Sequence, residues 1–354
     1  MFEIDFTFNE PFQLESGEIL PEVKLRASIY GKLNADRSNA ILIFHALTGG
    51  SRIGDWWNGL MGDGYALDTS EFAFVCVNYL GSCYGSTSAA TLTKRRAKGG
   101  KRDLPMVTLR DIARAHSLLF GHLGIAKFHA VIGGSVGGML ALQFAADFPE
   151  MSDHCISIAA TPLAAMGLAL NHLQRQAIDR GDLEMARKIA VLSYKSPRQF
   201  ERRFGRKHNR NGENPNANRD HRFDIGGYLD HHGDTFRERF ELESYDLITK
   251  AMDLFDLTDS EIRRISAKIS LVGISSDWLF PATDVRELKN RLVRHGIRVE
   301  YHEIESDDGH DAFLSDIAET SRVLREILEP KDEDIPKHFL ANRQFSASAV
   351  SCYK

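Results

Sequence analysis

Between Val131 and Ala145 the chain reads VIGGSVGGMLALQFA, a short apolar run, then four glycines around one serine, then an apolar pattern at helical spacing. Gly133 to Gly137 is Gly-Gly-Ser-Val-Gly, a match to G-x-S-x-G. After a strand and before a helix, this pattern is a nucleophile elbow. The serine sits on a turn tight enough to lift its hydroxyl clear of the sheet, and neighbouring side chains would collide there. The helix that follows aims its free N–H groups at the hydroxyl. The knot therefore predicts a parallel strand–turn–helix unit and names Ser135 as a nucleophile.

The rest of the chain agrees with such a sheet. VKLRASIYG alternates as a strand does, and NAILIFHAL, FAFVCVNYLG, FHAVIGGS, HCISIAAT, KISLVGI and RVEYHEI read as mostly buried strands. VTLRDIARAHSLLFGHLGI and GGMLALQFAADFP, the second closed by Pro149, read as helices between them. This alternation predicts an α/β fold, a mostly parallel sheet flanked by helices. From about Pro162 to Leu257 the alternation stops. LAAMGLALNHLQRQAIDRG, DLEMARKIAVLSY, PRQFERRFG and ELESYDLITKAMDLFDL read as helices, and GRKHNRNGENPNANRDHR as a mobile loop. The expected organisation is a core of residues 1–161 and 258–354, interrupted by a helical lid over 162–257.

A serine hydroxyl needs a base, and the base needs a group to orient it. With the elbow first, an Asp and then a His are expected, each on a loop after a strand. KISLVGI leads into Asp277 and RVEYHEI into a loop carrying His310. Asp307, Asp308 and Asp311 lie close to His310, but none follows a buried strand as directly as Asp277. The oxyanion hole is expected from the backbone N–H of Val136 and of Leu47, the latter in the loop FHALTGG. His45, which begins that loop, reads as a core histidine bracing it.

Composition narrows the partners. A net charge of −5 over 354 residues argues against nucleic acid. The start, MFEIDFTFNEPFQLESG, lacks the basic and apolar regions of a signal peptide, and no run of about 18 apolar residues predicts a membrane span. Cys76, Cys83, Cys155 and Cys352 show no metal-site spacing, and read as reduced thiols of a cytoplasmic protein. No bound cofactor or metal is expected.

HALTGG, DWWNGLMGDGYALDT, NYLGSCYGST, GGSVGGMLAL, SDWLFP and GHDAFL, in that order, resemble the homoserine O-acyltransferases of the α/β-hydrolase fold. The resemblance runs from about Leu14 to about Ile327. It implies a helical lid, acetyl-CoA as co-substrate and L-homoserine as acceptor in methionine biosynthesis, and a homodimer paired through lid helices. It also implies an acyl-serine on Ser135, with His310 as base. Arg187 and Tyr194 are seven residues apart on one helical face. By resemblance they meet the acceptor's carboxylate, and Asp311 its ammonium group.

The chain departs from the family pattern at several places. Val136 replaces the usual methionine of GGSMGG, with an expected reshaping of the pocket wall. Asp308 is expected to add negative charge beside His310, and GGYL over 226–229 replaces ESYL. The cluster Lys94, Arg95, Arg96, Lys98, Lys101 and Arg102 reads as a solvated loop, with the phosphates of CoA as the alternative partner. A succinyl donor, serine as acceptor, a plain esterase and a catalytically inert binding fold are the competing readings. The last requires a missing member of Ser135, Asp277 and His310, and all three are present.

Overall fold

A computed structural model describes residues 1–92 and 104–328. The basic cluster over 94–102, Cys352 and the tail lie outside the described residues.

Eight strands form one sheet: β1 (Phe2–Phe8), β2 (Val23–Tyr30), β3 (Ala40–Phe44), β4 (Ala73–Val77), β5 (Ala130–Gly134), β6 (His154–Ile158), β7 (Lys268–Ile274) and β8 (Val299–Ile304). Their spatial order is β1-β2-β4-β3-β5-β6-β7-β8. β2 pairs antiparallel with β1 and β4, and every other pairing is parallel. Each residue of β3, β4 and β5 is buried, which explains their unbroken apolar sequences. Side chains nevertheless alternate between two cores. Leu42, Phe44, Val75 and Val131 pack on one face, and Ile41, Ile43, Phe74 and Ile132 on the other.

Two helices pack together on one face of the sheet, α1 (Leu109–His122) and α2 (Val136–Asp147). α1 opens on a capping box in which Thr108 and Asp111 satisfy each other's backbone N–H groups. Between β6 and β7 come α3 (Ala165–Asp179), α4 (Leu183–Tyr194), α5 (Pro197–Arg203), α6 (Asp224–Arg237) and α7 (Leu242–Asp253). No strand of the sheet falls among them. α8 (Ala282–Arg294) and α9 (Ile317–Leu328) complete the α/β alternation.

Among the labelled elements β1, α6, α8 and α9 go beyond the sequence reading, and the first two are the instructive ones. The first is β1, whose Phe2, Ile4, Phe6 and Phe8 alternate with polar residues at a half-exposed sheet edge. The second is α6. Its Gly226–Gly227 pair and polar composition hide a helix that buries Gly233 and Phe236. A side chain at Gly233 would lie 2.9 Å from the Lys188 stem on α4, so glycine there lets the two helices approach. Residues 205–222 form a loop as expected, tied within itself through Glu213 and to α6 through the pairs Arg210–Asp224 and Arg222–Asp230. The Glu213 carboxylate accepts hydrogen bonds from Arg222 N (2.6 Å), Arg222 Nε (3.0 Å) and Asn209 Nδ2 (3.0 Å).

Candidate active site

Ser135 stands between the last residue of β5 and the first of α2, with φ 60° and ψ −128°. A non-glycine residue in such a conformation costs about 1–3 kcal/mol, so the surroundings must enforce it. Ser135 N donates to Ile158 O at 2.9 Å, which ties the turn to β6. A Cβ on Gly133 would lie 2.1 Å from Gly137 O, and one on Gly137 would lie 2.3 Å from Phe44 O. Backbone atoms cannot give way at those distances. The glycines let the elbow fold onto itself and against the end of β3.

β7 and β8 end beside this turn and deliver the next two residues. Asp277 Oδ1 accepts the N–H groups of Leu279 (2.8 Å) and Phe280 (2.9 Å), which fixes the carboxylate. Its Oδ2 lies 2.6 Å from His310 Nδ1, and His310 Nε2 lies 2.9 Å from Ser135 Oγ. A carboxylate against Nδ1 holds the proton there and leaves Nε2 free to accept from the serine. All three residues are buried. Burial pulls the His310 pKa down, but the charge and hydrogen bond of Asp277, with the charge of Asp311, outweigh burial and the opposing Lys195. The result is a pKa above the ordinary value of 6.5. Such a set has the geometry to take a proton from a hydroxyl and to return it.

The neighbouring acids have other partners. Asp307 pairs with Arg198 at 3.1 Å. Asp308 accepts from Gln199 Nε2 at 2.7 Å and from Ser315 Oγ at 2.8 Å, and Arg202 lies 3.7 Å away. Its charge is therefore absorbed away from the imidazole, contrary to the expectation drawn from its position in the sequence. Val136 also differs from expectation. Its side chain is fully buried in the core and is not part of the cavity wall, so replacing methionine there leaves the wall to other residues.

The hydroxyl opens onto a cavity of about 770 Å³ whose wall includes Leu47, Ser135, Arg187, Tyr194, His310 and Asp311. Leu47 lies in the loop after β3. His45 braces that loop: it is fully buried, its ring stacks on Tyr79 at 3.7 Å, and its Nδ1 lies 2.8 Å from Ala46 O. Burial pushes its pKa down to about 4, so it is neutral and serves as packing. On the far wall, α4 carries Arg187 and Tyr194. The Arg187 guanidinium lies 5.4 Å from the Tyr194 ring centre and 5.0 Å from that of Phe236. Two aromatic faces orient it, yet its buried Nη1 has no hydrogen-bond partner. A half-buried cation with one buried, unmet donor suits a carboxylate ligand.

Sequence reasoning missed other wall residues and one second-tier partner. Lys195 ion-pairs with Asp311 at 3.0 Å. Arg239 Nη1 donates to Thr48 O (3.0 Å) and to the Tyr84 hydroxyl (2.9 Å), joining the stretch after α6 to the rim. The signal for Lys195 was its position just after Tyr194. For Arg239 there was none. Among the described residues, no group of three or more His, Cys, Asp or Glu side chains is arranged to hold a metal ion. None of the described helices is long and apolar enough to cross a membrane.

A family model described as alpha/beta hydrolase fold matches residues 39–317. The homoserine O-acetyltransferase of Geotalea uraniireducens (strain Rf4) is 36% identical over 359 residues, covering 92% of this chain and 96% of that protein. The homoserine O-succinyltransferase of Acidithiobacillus ferrooxidans (strain ATCC 53993 / BNL-5-31) is 37% identical over 364 residues, covering 93% and 95%. Among solved structures, the homoserine O-acetyltransferase from Bacillus anthracis superposes with a TM-score of 0.81 at 24% identity, over 93% of this chain and 98% of that one. At that identity the superposition speaks for the fold.

Proposed function

The chain belongs to the homoserine O-acyltransferases of the α/β-hydrolase fold, and from that premise we propose that it transfers the acetyl group of acetyl-CoA to the hydroxyl of L-homoserine. In this reading Ser135 Oγ attacks the thioester carbon while its proton passes to His310 Nε2. The carbonyl electron pair moves onto oxygen, which the N–H groups of Leu47 and Val136 stabilise. Collapse breaks the carbon–sulfur bond, and the CoA thiolate leaves with the proton from His310. The acetyl group remains as an ester on Ser135.

The homoserine hydroxyl then attacks that ester, and His310 Nε2 takes its proton. Collapse breaks the bond to Ser135 Oγ, which recovers its proton from His310, and O-acetyl-L-homoserine departs. Arg187 grips the acceptor carboxylate, Tyr194 packs beside it, and Asp311 faces the ammonium group. The observation that carries the reading is a single cavity holding the Ser135–His310 pair, an unsatisfied guanidinium and a carboxylate. A hydrolase needs neither of the last two.

The same reading divides the chain into a core, 1–161 and 258–354, and a helical lid, 162–257. Met166, Leu168 and Leu173 on α3, with Met185 and Leu192 on α4, are exposed apolar residues, which supports a homodimer through lid helices. Cys76, Cys83 and Cys155 are free thiols, in keeping with a cytoplasmic enzyme of methionine biosynthesis.

The test is release of free CoA, read with a thiol reagent, from acetyl-CoA or succinyl-CoA with and without L-homoserine. Release from acetyl-CoA that depends on homoserine is expected. Release independent of any acceptor overturns the proposal in favour of a hydrolase. No release from either donor also overturns it.

A further inference from the structure

A second, much smaller cavity lies against Ser135. It has about 20 Å³ of accessible space, and its wall includes Ser135, Leu47, Leu163, Met252 and Leu279. That is room for about one water-sized group. It shares Ser135, Leu47 and Tyr194 with the large cavity, but His310 belongs to the large cavity alone.

This difference fixes directions around the reacting carbon. A tetrahedral carbon on Ser135 Oγ has three remaining substituents. Its oxyanion must point at the N–H donors, and its leaving or attacking atom must lie beside His310, which exchanges a proton with it. Both CoA sulfur and acceptor oxygen therefore belong in the large cavity. The remaining substituent, the acyl chain, must run to the side that touches Ser135 and Leu47 without touching His310.

We infer that the small cavity is the acyl subsite, and that Leu163, Met252 and Leu279 close it to donors longer than acetyl. The inference rests on the acyl-transfer reading given above and decides what relatedness leaves open, since acetyl- and succinyltransferases match this chain at nearly the same identity. A methyl group fits about 20 Å³. The three further carbons of a succinyl chain and its carboxylate do not.

The polar residues of the wall do not rescue a carboxylate either. Asn171 Nδ2 is held by Asp253 Oδ1 at 2.9 Å and Thr249 O at 3.3 Å. Gln174 Oε1 accepts from the Tyr245 hydroxyl and its Nε2 donates to Asn171 Oδ1 at 3.5 Å, and Ser193 Oγ donates to Ala190 O at 2.8 Å. The wall contains no Lys, Arg or His. Arg175, the cation joined to this network, pairs with Asp253 and keeps one buried Nη1 without a partner, but it is not part of the wall. A buried carboxylate against a wall that carries no cation of its own is disfavoured.

The test measures kcat/KM for acetyl-, propionyl-, butyryl- and succinyl-CoA at saturating L-homoserine, in the native chain and in Met252→Ala. The native chain is expected to lose about tenfold or more on adding one methylene, with butyryl- and succinyl-CoA lower still. Met252→Ala is expected to raise the butyryl-to-acetyl ratio by about tenfold or more, with no comparable gain for succinyl-CoA. Leu163→Ala, at a half-buried position, is expected to move the ratio the same way and serves if Met252→Ala does not fold. An unchanged ratio in a folded variant overturns the inference. So does a native chain that takes butyryl- or succinyl-CoA as readily as acetyl-CoA.

A parallel measurement separates this inference from the function it rests on. The burst of nitrophenol from p-nitrophenyl acetate and butyrate reports acylation of Ser135 without CoA or homoserine. An acetate-selective burst that Met252→Ala relaxes, without homoserine-dependent transfer, defeats the proposed acceptor and keeps the subsite. Transfer to homoserine with no acyl-length selectivity defeats the subsite and keeps the acceptor.

Discussion

Two walls of the large cavity are finished to different degrees. On the sheet side, Ser135, His310 and Asp277 are joined at 2.9 and 2.6 Å, and Asp277 is held by two backbone N–H groups at 2.8 and 2.9 Å. On the helical side, Arg187 is clamped between two aromatic rings, but its buried Nη1 has no partner. An arrangement complete without ligand needs no reorganisation at the moment of reaction. A buried donor left unmet costs about 1–3 kcal/mol until a ligand meets it. The sheet loops are thus suited to making and breaking bonds, and α4 to choosing what enters.

The largest effect belongs to the sheet side. Ser135→Ala is expected to lower kcat by about 10⁴-fold or more, with homoserine affinity by calorimetry within about threefold of the native chain. Mass spectrometry should find an acetyl adduct on the native protein after mixing with acetyl-CoA, and none on the variant. Loss of homoserine binding in Ser135→Ala breaks the comparison, because the two walls then do not act separately.

An intermediate effect belongs to the helical side. Arg187→Ala is expected to raise the KM for homoserine by about 10- to 100-fold, the range for a hydrogen-bonded charged partner. The p-nitrophenyl acetate burst should stay within about threefold, since acylation makes no use of the acceptor site. Arg187→Lys should recover only part of the loss, because an ammonium keeps the charge without the two-pronged geometry. A burst that falls in parallel with homoserine binding assigns Arg187 to both walls.

The same contrast explains what could be read from the chain itself. Ser135, Asp277 and His310 each follow a buried strand, so strand order alone brings their loops to one edge of the sheet. Arg187 and Tyr194 come together because α4 is regular between them. Partners set by helix packing leave no such trace. Lys195 meets Asp311 and Arg239 meets Tyr84 only after the helices dock. α6 was hidden because its glycines, poor helix formers, serve contacts with α4 and the 205–222 loop. β1 carries a strand's alternation, but at a half-exposed sheet edge it lacks the unbroken apolar run that marks the central strands. Asp308 and Val136 show the opposite failure. Adjacency in sequence implied influence on the site, whereas Gln199 and Ser315 hold one away from it and the core buries the other.

The smallest effect joins the two walls. His310 must be neutral to accept a proton, so acylation should fall as pH drops through its pKa. Burial lowers that pKa, while Asp277 and Asp311 raise it further than burial and Lys195 bring it down. The acid limb of kcat/KM for p-nitrophenyl acetate is therefore expected to centre above the ordinary histidine value of about 6.5. Asp311→Asn removes one raising charge and frees Lys195 of its partner, so the limb should move to lower pH. On the plateau above both acid limbs, where the imidazole is neutral in both proteins, acylation rates should agree within about threefold. Asp311 is also the proposed ammonium partner, and for that reason the profile is taken with an ester that needs no acceptor. A shifted limb means that the acceptor wall tunes the base, and that a bound ammonium group, by drawing on the charge of Asp311, weakens the hold of His310 on a proton. A limb that stays in place confines Asp311 to the acceptor and keeps the two walls electrostatically separate.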